Sequence, residues 1–150
     1  MLDFKVFNSS NPITENERKE IIDFLYTHLD QFRDTREAIG RAISYALKES
    51  PGPGGFVLRG TLDGGIVGVV VVNKTGMEGY IPENILVYIA VDEKFRGKGY
   101  GRELMNKAIV LAEGDVKLHV EHDNPARFLY QKLGFTNKYM EMRLTKNKKK

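Results

Sequence analysis

Cysteine is absent from the 150-residue sequence, so disulfide bonds, thiolate metal sites and a cysteine nucleophile are all excluded. The sequence also lacks any apolar run of about 18 residues, the length that a bilayer-spanning helix requires. Its opening residues, MLDFKVFNSS, show no signal-peptide pattern. These absences predict a cytoplasmic protein that has no membrane partner.

Excess positive charge is confined to one end of the chain. Lys and Arg total 23 and Asp and Glu total 20, which gives a net charge of +3. Four lysines at positions 146, 148, 149 and 150 supply this excess, and without them the chain has 19 basic and 20 acidic residues. A nucleic-acid-binding protein would instead spread basic residues over one face. We therefore predict no nucleic-acid partner, one domain over residues 1–145 and a disordered lysine-rich tail over 146–150.

Hydrophobic periodicity predicts the order strand, two helices, three strands, helix, strand, helix, strand. Thr14 and Glu17 have the spacing of a capping box at the start of the first helix. Asp63-Gly64 predicts a tight turn between the second and third strands. The predicted strands lie at residues 4–7, 56–60, 66–73, 85–91, 116–121 and about 139–144. This order indicates an α/β fold in which helices pack on a mixed sheet.

The stretch RGKGYG, residues 96–101, places three glycines between a predicted strand and a predicted helix. Helix-terminal N–H groups lack partners and the helix dipole adds positive potential, so such a turn suits phosphate. Glycine permits close approach of a ligand, while Arg96 and Lys98 add charge. Two other phosphate-binding patterns fit less well: Gly99 follows Lys98 where a Walker A loop has Ser or Thr, and the third glycine comes one residue early for a dinucleotide fingerprint. From these residues alone, a tight surface turn remains the alternative.

Two stretches resemble the GNAT superfamily of N-acetyltransferases. Arg96, Gly99 and Gly101 match its Arg/Gln-x-x-Gly-x-Gly/Ala signature. NPARFLYQKLGF, residues 124–135, resembles its Asn-x-x-Ala-x-x-Leu-Tyr-x-Lys-Leu-Gly-Phe segment, with the alanine one place early at Ala126. The resemblance is specific over residues 85–144 and architectural before them. It implies a GNAT-like fold, a mixed and mostly antiparallel sheet with splayed central strands flanked by helices.

The same resemblance implies acetyl-coenzyme A as acetyl donor, with its pyrophosphate on the glycine loop and its pantetheine arm on the edge of the fourth strand. Asn124 would hold the pantetheine amides, cap a helix, or do both. The expected cofactor-binding residues are Ile89, Ala90, Val91, Arg96, Gly97, Lys98, Gly99, Tyr100, Gly101, Arg102 and Asn124. The histidines and carboxylates show no metal-ligand spacing, so we expect no metal.

Acetylation of an amine requires removal of a proton from the amine and delivery of a proton to the departing thiolate. Tyr130 matches the family's general acid, and its alternative role is a core aromatic. His119, on the polar face of the predicted fifth strand, is a candidate base or simply a half-exposed histidine. Glu83 and solvent are the other candidate bases, and Glu83 and Glu121 are the acidic residues expected near the acceptor. Without cysteine, direct attack in a ternary complex is the expected mechanism.

Together these features predict an N-acetyltransferase acting on a primary amine of a small molecule or peptide. The alternative is a non-catalytic coenzyme A-binding module of the same fold that senses or regulates. The identity of the amine stays open, as does the choice between a monomer and a homodimer.

Overall fold

Five strands form a mixed sheet with the order β1-β2-β3-β4-β5 in a computed structural model that describes residues 1–146. The strands are β1 (Asp3–Phe7), β2 (Gly55–Leu62), β3 (Gly65–Lys74), β4 (Asn84–Val91) and β5 (Val116–Leu118). Neighbours pair antiparallel except β4 and β5, which are parallel. The α/β class and the mixed, mostly antiparallel sheet are therefore confirmed.

The helices are α1 (Glu15–His28), α2 (Arg36–Ala46), α3 (Tyr100–Leu111) and α4 (Ala126–Lys132), with short 3₁₀ turns at Asp30–Phe32 and Glu93–Phe95. The predicted capping box opens α1: the Thr14 hydroxyl accepts the Glu17 N–H at 3.1 Å, and the Glu17 carboxylate accepts the Thr14 N–H at 3.0 Å. Two otherwise unpaired backbone donors are thereby satisfied.

The main core lies between the sheet and the helix pair α1 and α2. Apolar side chains at helical spacing on α1 and α2 meet alternate side chains of β2, β3 and β4. The fully buried members include Ile21, Leu25, Ile39, Ile43, Val57, Val69 and Val71. Helix α3 packs against β3 with its buried Leu104, and a Cβ on Gly68 would lie 2.3 Å from that side chain. Gly68 is thus required for close packing of α3 on the sheet.

A β-bulge interrupts β4 at Val87. Tyr88 pairs with Val71 and Leu86 pairs with Val72, so Val87 is an extra residue without a counterpart on β3. Strand β5 pairs with β4 only at Asn84–Leu86, and this ladder ends where the bulge begins. Residues 87–91 of β4 therefore have no β5 partner, which fits the expected splay. Strand β5 is an edge strand of the described sheet rather than a central one.

One predicted strand is shorter than expected, and another does not form in the described residues. The fifth strand ends at Leu118, so His119 and Glu121 lie outside it. Its only partner in the sheet is β4, and pairing stops at the bulge. Residues 139–144 form no strand in the structure described, and Tyr139, Met140, Met142 and Leu144 are exposed. Alternating hydrophobicity indicates a strand only where a neighbouring edge supplies hydrogen bonds, and here no described strand pairs with this segment.

The chain divides into two compact units, Met1–Leu118 and the residues from His119 onward. The first holds the whole sheet and α1 to α3, and the second holds α4. A single domain over residues 1–145 stays a prediction. Of the predicted tail, residues 147–150 lie outside the described residues. None of the helices within residues 1–146 is both long and apolar enough to cross a membrane.

Candidate functional site

The glycine loop between β4 and α3 opens onto free space. Gly97 and Gly99 have φ angles of +79° and +88°, a left-handed conformation that residues with a Cβ rarely adopt. A Cβ built on either glycine would meet no heavy atom within 4 Å. The turn therefore presents bare backbone to a space that a ligand can enter.

Helix α3 begins directly after this turn, with Gly99 as its N-cap and no side-chain hydrogen bond to the cap. The first hydrogen bond of the helix runs from the Glu103 N–H to the Gly99 carbonyl at 3.1 Å. The N–H groups of Tyr100, Gly101 and Arg102 precede it and have no intrahelical partner. Together with the dipole of a 12-residue helix, these donors suit an anion such as phosphate.

Side chains at both ends hold the loop in place. The Asp92 carboxylate accepts the Lys94 N–H at 2.9 Å and so caps the 3₁₀ turn that precedes the loop. The rings of Phe95 and Tyr100 pack edge to face across it, with centroids 6.0 Å apart. This aromatic pair was not predicted from the sequence, although its five-residue spacing around two glycines could have suggested it.

Arg96 contacts three protein acceptors. Its Nε donates to the Val91 carbonyl at 3.0 Å, its Nη1 to the Asp30 carboxylate at 3.1 Å and its Nη2 to the His28 carbonyl at 2.8 Å. The guanidinium thus joins the ends of β4 and α1. We name Arg96 with these three acceptors the arginine clasp. No local sequence pattern predicts it, because His28 and Asp30 lie 68 and 66 residues away.

The outer edge of β4 continues the site away from the loop. Ile89, Ala90 and Val91 pair with β3 on one side, and past Leu86 the other side has no β5 partner. A free strand edge offers backbone N–H and C=O groups in alternation, which suits an extended ligand that carries amides.

Glu83 lies at the opposite end of β4. Its carboxylate accepts the Asp115 N–H at 2.8 Å, and this hydrogen bond holds the pKa of Glu83 below its ordinary value. The neighbouring buried Asn84 donates to the Glu113 and Asp115 carbonyls at 2.8 and 3.2 Å. Glu83 and Asn84 therefore brace the turn that leads into β5.

In the second unit, Tyr130 lies on α4 and is 8% exposed. Burial raises its pKa to about 12, so its hydroxyl stays protonated at physiological pH. Its ring lies 6.0 Å from that of Phe135, and the helix ends at left-handed Gly134, as predicted. Asn124 lies two residues before the same helix, and its Oδ1 accepts the Ala126 N–H at 2.9 Å. His119 and Glu121 are exposed.

The predicted site residues thus fall into two groups. The first unit brings together the glycine loop and the edge of β4, with Glu83 at the far end of that strand. The second unit holds His119, Glu121, Asn124 and Tyr130. No group of three or more His, Asp or Glu side chains within residues 1–146 is placed to hold a metal.

Known structures share this fold. A transcriptional regulator from Bacillus halodurans has a TM-score of 0.72 and 18% identity, with 97% of this chain and 99% of that chain covered. An aminoglycoside antibiotic 6'-N-acetyltransferase from Acinetobacter haemolyticus has a TM-score of 0.70 and 16% identity, with 98% of this chain and 99% of that chain covered. A ribosomal-protein-alanine N-acetyltransferase from Brucella melitensis biovar Abortus has a TM-score of 0.64 and 17% identity, with 97% of this chain and 99% of that chain covered. At such identities the likeness is one of fold.

Family membership follows from the sequence itself. No curated protein matches the chain. The model of the acetyltransferase (GNAT) domain matches residues 53–137, more than half of the chain, and this range includes both the glycine loop and the 124–135 stretch. The chain therefore belongs to the GNAT acetyltransferase family.

Proposed function

We propose that the protein transfers an acetyl group from acetyl-coenzyme A to a primary amine by direct attack within a ternary complex. One observation carries the proposal: two left-handed glycines open onto free space directly before the unpaired N–H groups of α3. That backbone fits the pyrophosphate of a coenzyme A donor, and family membership supports acetyl transfer.

The donor would lie along the first unit. Backbone N–H groups of residues 97–102 would bind the pyrophosphate, with the exposed Lys98 and Arg102 adding positive charge. The pantetheine amides would pair with the free edge of Ile89, Ala90 and Val91, as an added strand does, except at the Val91 carbonyl, which already accepts Arg96 Nε. Asn124 already accepts the Ala126 N–H through Oδ1, which leaves its Nδ2 to donate to a pantetheine carbonyl.

The acceptor nitrogen must lose a proton before or during attack. For a lysine-like amine with a pKa near 10.4, deprotonation at pH 7 costs about 4 to 5 kcal/mol. Glu83 is a poor base because its carboxylate binds the Asp115 N–H and its pKa is lowered. His119, which is exposed, and solvent are the better proton acceptors in this account.

Tyr130 is proposed to assist the leaving sulfur. A phenol with a pKa of about 12 is a weaker acid than a cysteine-like thiol near 8.5, so complete transfer is uphill by about 5 kcal/mol. Donating a hydrogen bond as negative charge develops on sulfur avoids that penalty. The new bond joins the amine nitrogen to the acetyl carbon as the carbon–sulfur bond breaks. The nitrogen gives one proton to His119 or solvent, and the departing sulfur takes one proton from solvent.

The acceptor class is proposed as an amine of a small molecule or peptide. Two of the similar structures are described as N-acetyltransferases, one for an aminoglycoside antibiotic and one for a ribosomal-protein alanine. Both kinds of acceptor present an amine nitrogen to the donor, which agrees with the chemistry above.

The proposal is tested by following thiol release from acetyl-coenzyme A with a panel of amines that includes aminoglycosides, polyamines, lysine peptides and peptides with free N-termini. We expect at least one amine to release thiol at a rate that saturates with both substrates. Intersecting initial-rate lines would support a ternary complex, and parallel lines would contradict it. Coenzyme A binding without thiol release from any amine would instead indicate the regulatory module.

A further inference from the structure

The arginine clasp fixes the start of the glycine loop. Arg96 immediately precedes Gly97, and all three of its guanidinium nitrogens donate to protein acceptors. A guanidinium has five N–H donors in a rigid planar fork, so its direction is set once three nitrogens are engaged. Hydrogen bonds therefore hold the Arg96 guanidinium at the ends of β4 and α1.

Two of the three acceptors of the clasp, on His28 and Asp30, lie in a segment at the end of α1 that is itself anchored. Asp30 has a φ angle of +55°, an uncommon conformation that aspartate tolerates better than most residues. Four residues later, the Asp34 carboxylate accepts the Tyr88 hydroxyl of β4 at 2.6 Å. His28 Nε2 also lies 3.8 Å from the Asp92 carboxylate. The connection after α1 is thus held against β4, and it offers Arg96 a fixed support.

We propose that Arg96 is a positioning residue, which with Asp30 holds the glycine loop in its phosphate-binding shape instead of contacting the donor phosphates itself. The inference rests on the proposed function, because it assumes that the loop binds coenzyme A. Glycines at positions 97 and 99 lose much conformational freedom when the loop becomes ordered. Because the clasp orders the loop before coenzyme A binds, less of this entropy is lost on binding and the affinity is higher.

The rival role, a phosphate ligand, predicts the opposite response at Asp30. Removing the Asp30 carboxylate takes away a negative charge and frees Arg96, so a direct ligand would bind the anionic coenzyme A more tightly. If Arg96 is instead a positioning residue, the loss of its support disorders the glycine loop, and the protein would bind coenzyme A more weakly. Glycine at position 30 accommodates the left-handed backbone, and asparagine keeps both that backbone and an acceptor oxygen for Arg96.

The test measures the dissociation constant of coenzyme A by calorimetry. We expect Asp30→Gly to raise it about fivefold and Arg96→Ala about tenfold, because the pair is exposed and its charge-assisted contacts are partly screened. The double variant should have the same dissociation constant as Arg96→Ala alone, since each substitution breaks the same contact between Arg96 and Asp30. Asp30→Asn should stay within about twofold of the parent, which is rescue by the conservative variant.

Lys94→Gln is the matched control, because it removes an exposed positive charge beside the loop without touching the clasp. Its dissociation constant should match that of the parent. Equal or tighter binding by Asp30→Gly would overturn the inference. Failure of the parent protein to bind coenzyme A would instead contradict the proposed function. The circular dichroism spectrum and melting temperature of Asp30→Gly should match those of the parent. Weaker binding together with a clear change in either would mean general damage to the fold and overturn the positioning role.

Discussion

Tyr130→Phe is expected to lower turnover by about 10²- to 10³-fold, the usual contribution of a preorganised hydrogen-bond donor to developing negative charge. The change keeps the buried ring and deletes only the hydroxyl. Since that hydroxyl forms no hydrogen bond with residues 1–146, the melting temperature and the coenzyme A affinity should hardly change. The measurement is the rate of thiol release with saturating amine and donor. A donor with a more acidic leaving thiol should lose less, because its thiolate requires less stabilisation.

The pH dependence provides a second readout. With a pKa of about 12, Tyr130 keeps its proton throughout pH 7–9, so the rate should show no decline caused by its ionisation there. The folded-state pKa lies above the ordinary value near 10, so between these values the folded state binds more protons than the unfolded state. The free energy of unfolding should therefore fall as the pH rises from about 10 to about 12. Turnover is to be measured below this pH range, where the protein keeps its full stability.

Tyr139→Phe is the control, since it deletes the hydroxyl of an exposed tyrosine in the same unit and should retain the parent rate. Parent-like turnover by Tyr130→Phe would assign Tyr130 to packing alone and leave solvent to stabilise the departing sulfur. A Tyr130→Phe protein with a much lower melting temperature would show that the hydroxyl supports the fold.

Gly99→Val is expected to weaken coenzyme A binding by about 100- to 1,000-fold. Two effects act together: the side chain fills the open space before the loop, and the left-handed backbone disfavours a β-branched residue. Losing two hydrogen bonds to a charged phosphate accounts for that range when each contributes about 1.5 to 2 kcal/mol, the lower part of the usual values. Calorimetric titration with coenzyme A measures the effect.

Gly64→Val separates loss of the ligand from backbone strain. Gly64 has a φ angle of +83°, and a Cβ there would also meet nothing within 4 Å, but it lies in the β2–β3 turn. Both variants should lose similar stability, and only Gly99→Val should lose affinity. Equal affinities in the two variants would contradict a phosphate site at the glycine loop. Where valine prevents folding, the alanine pair at the same positions makes the same comparison.

Local features of the fold could be predicted from the sequence because they depend on neighbouring residues. The Thr14–Glu17 capping box, the turn at Asp63-Gly64 and the left-handed cap at Gly134 each involve a few adjacent positions. The glycine loop and α3 were predictable for the same reason. Each combines a distinctive composition with a short-range physical rule.

Features set by distant contacts could not be predicted in this way. The bulge at Val87 depends on how β4 pairs with β3, and it ends the pairing with β5 at Leu86. His119 and Glu121 were therefore placed on a strand that stops earlier. The arginine clasp joins positions more than 60 residues apart. The sequence pattern therefore indicates only that Arg96 adds charge to the loop, whereas in the structure its guanidinium donates to protein acceptors. Residues 139–144 alternate as a strand does but pair with none of the described strands.

Binding of donor phosphates to the backbone of the glycine loop can be followed by titrating ¹⁵N-labelled protein with coenzyme A and recording amide NMR spectra, because every N–H reports separately. We expect the largest shifts at the amides of residues 97–102, with smaller shifts along Ile89 and Val91 on the free edge of β4. Saturable binding that leaves the loop amides unmoved and shifts amides elsewhere would contradict it.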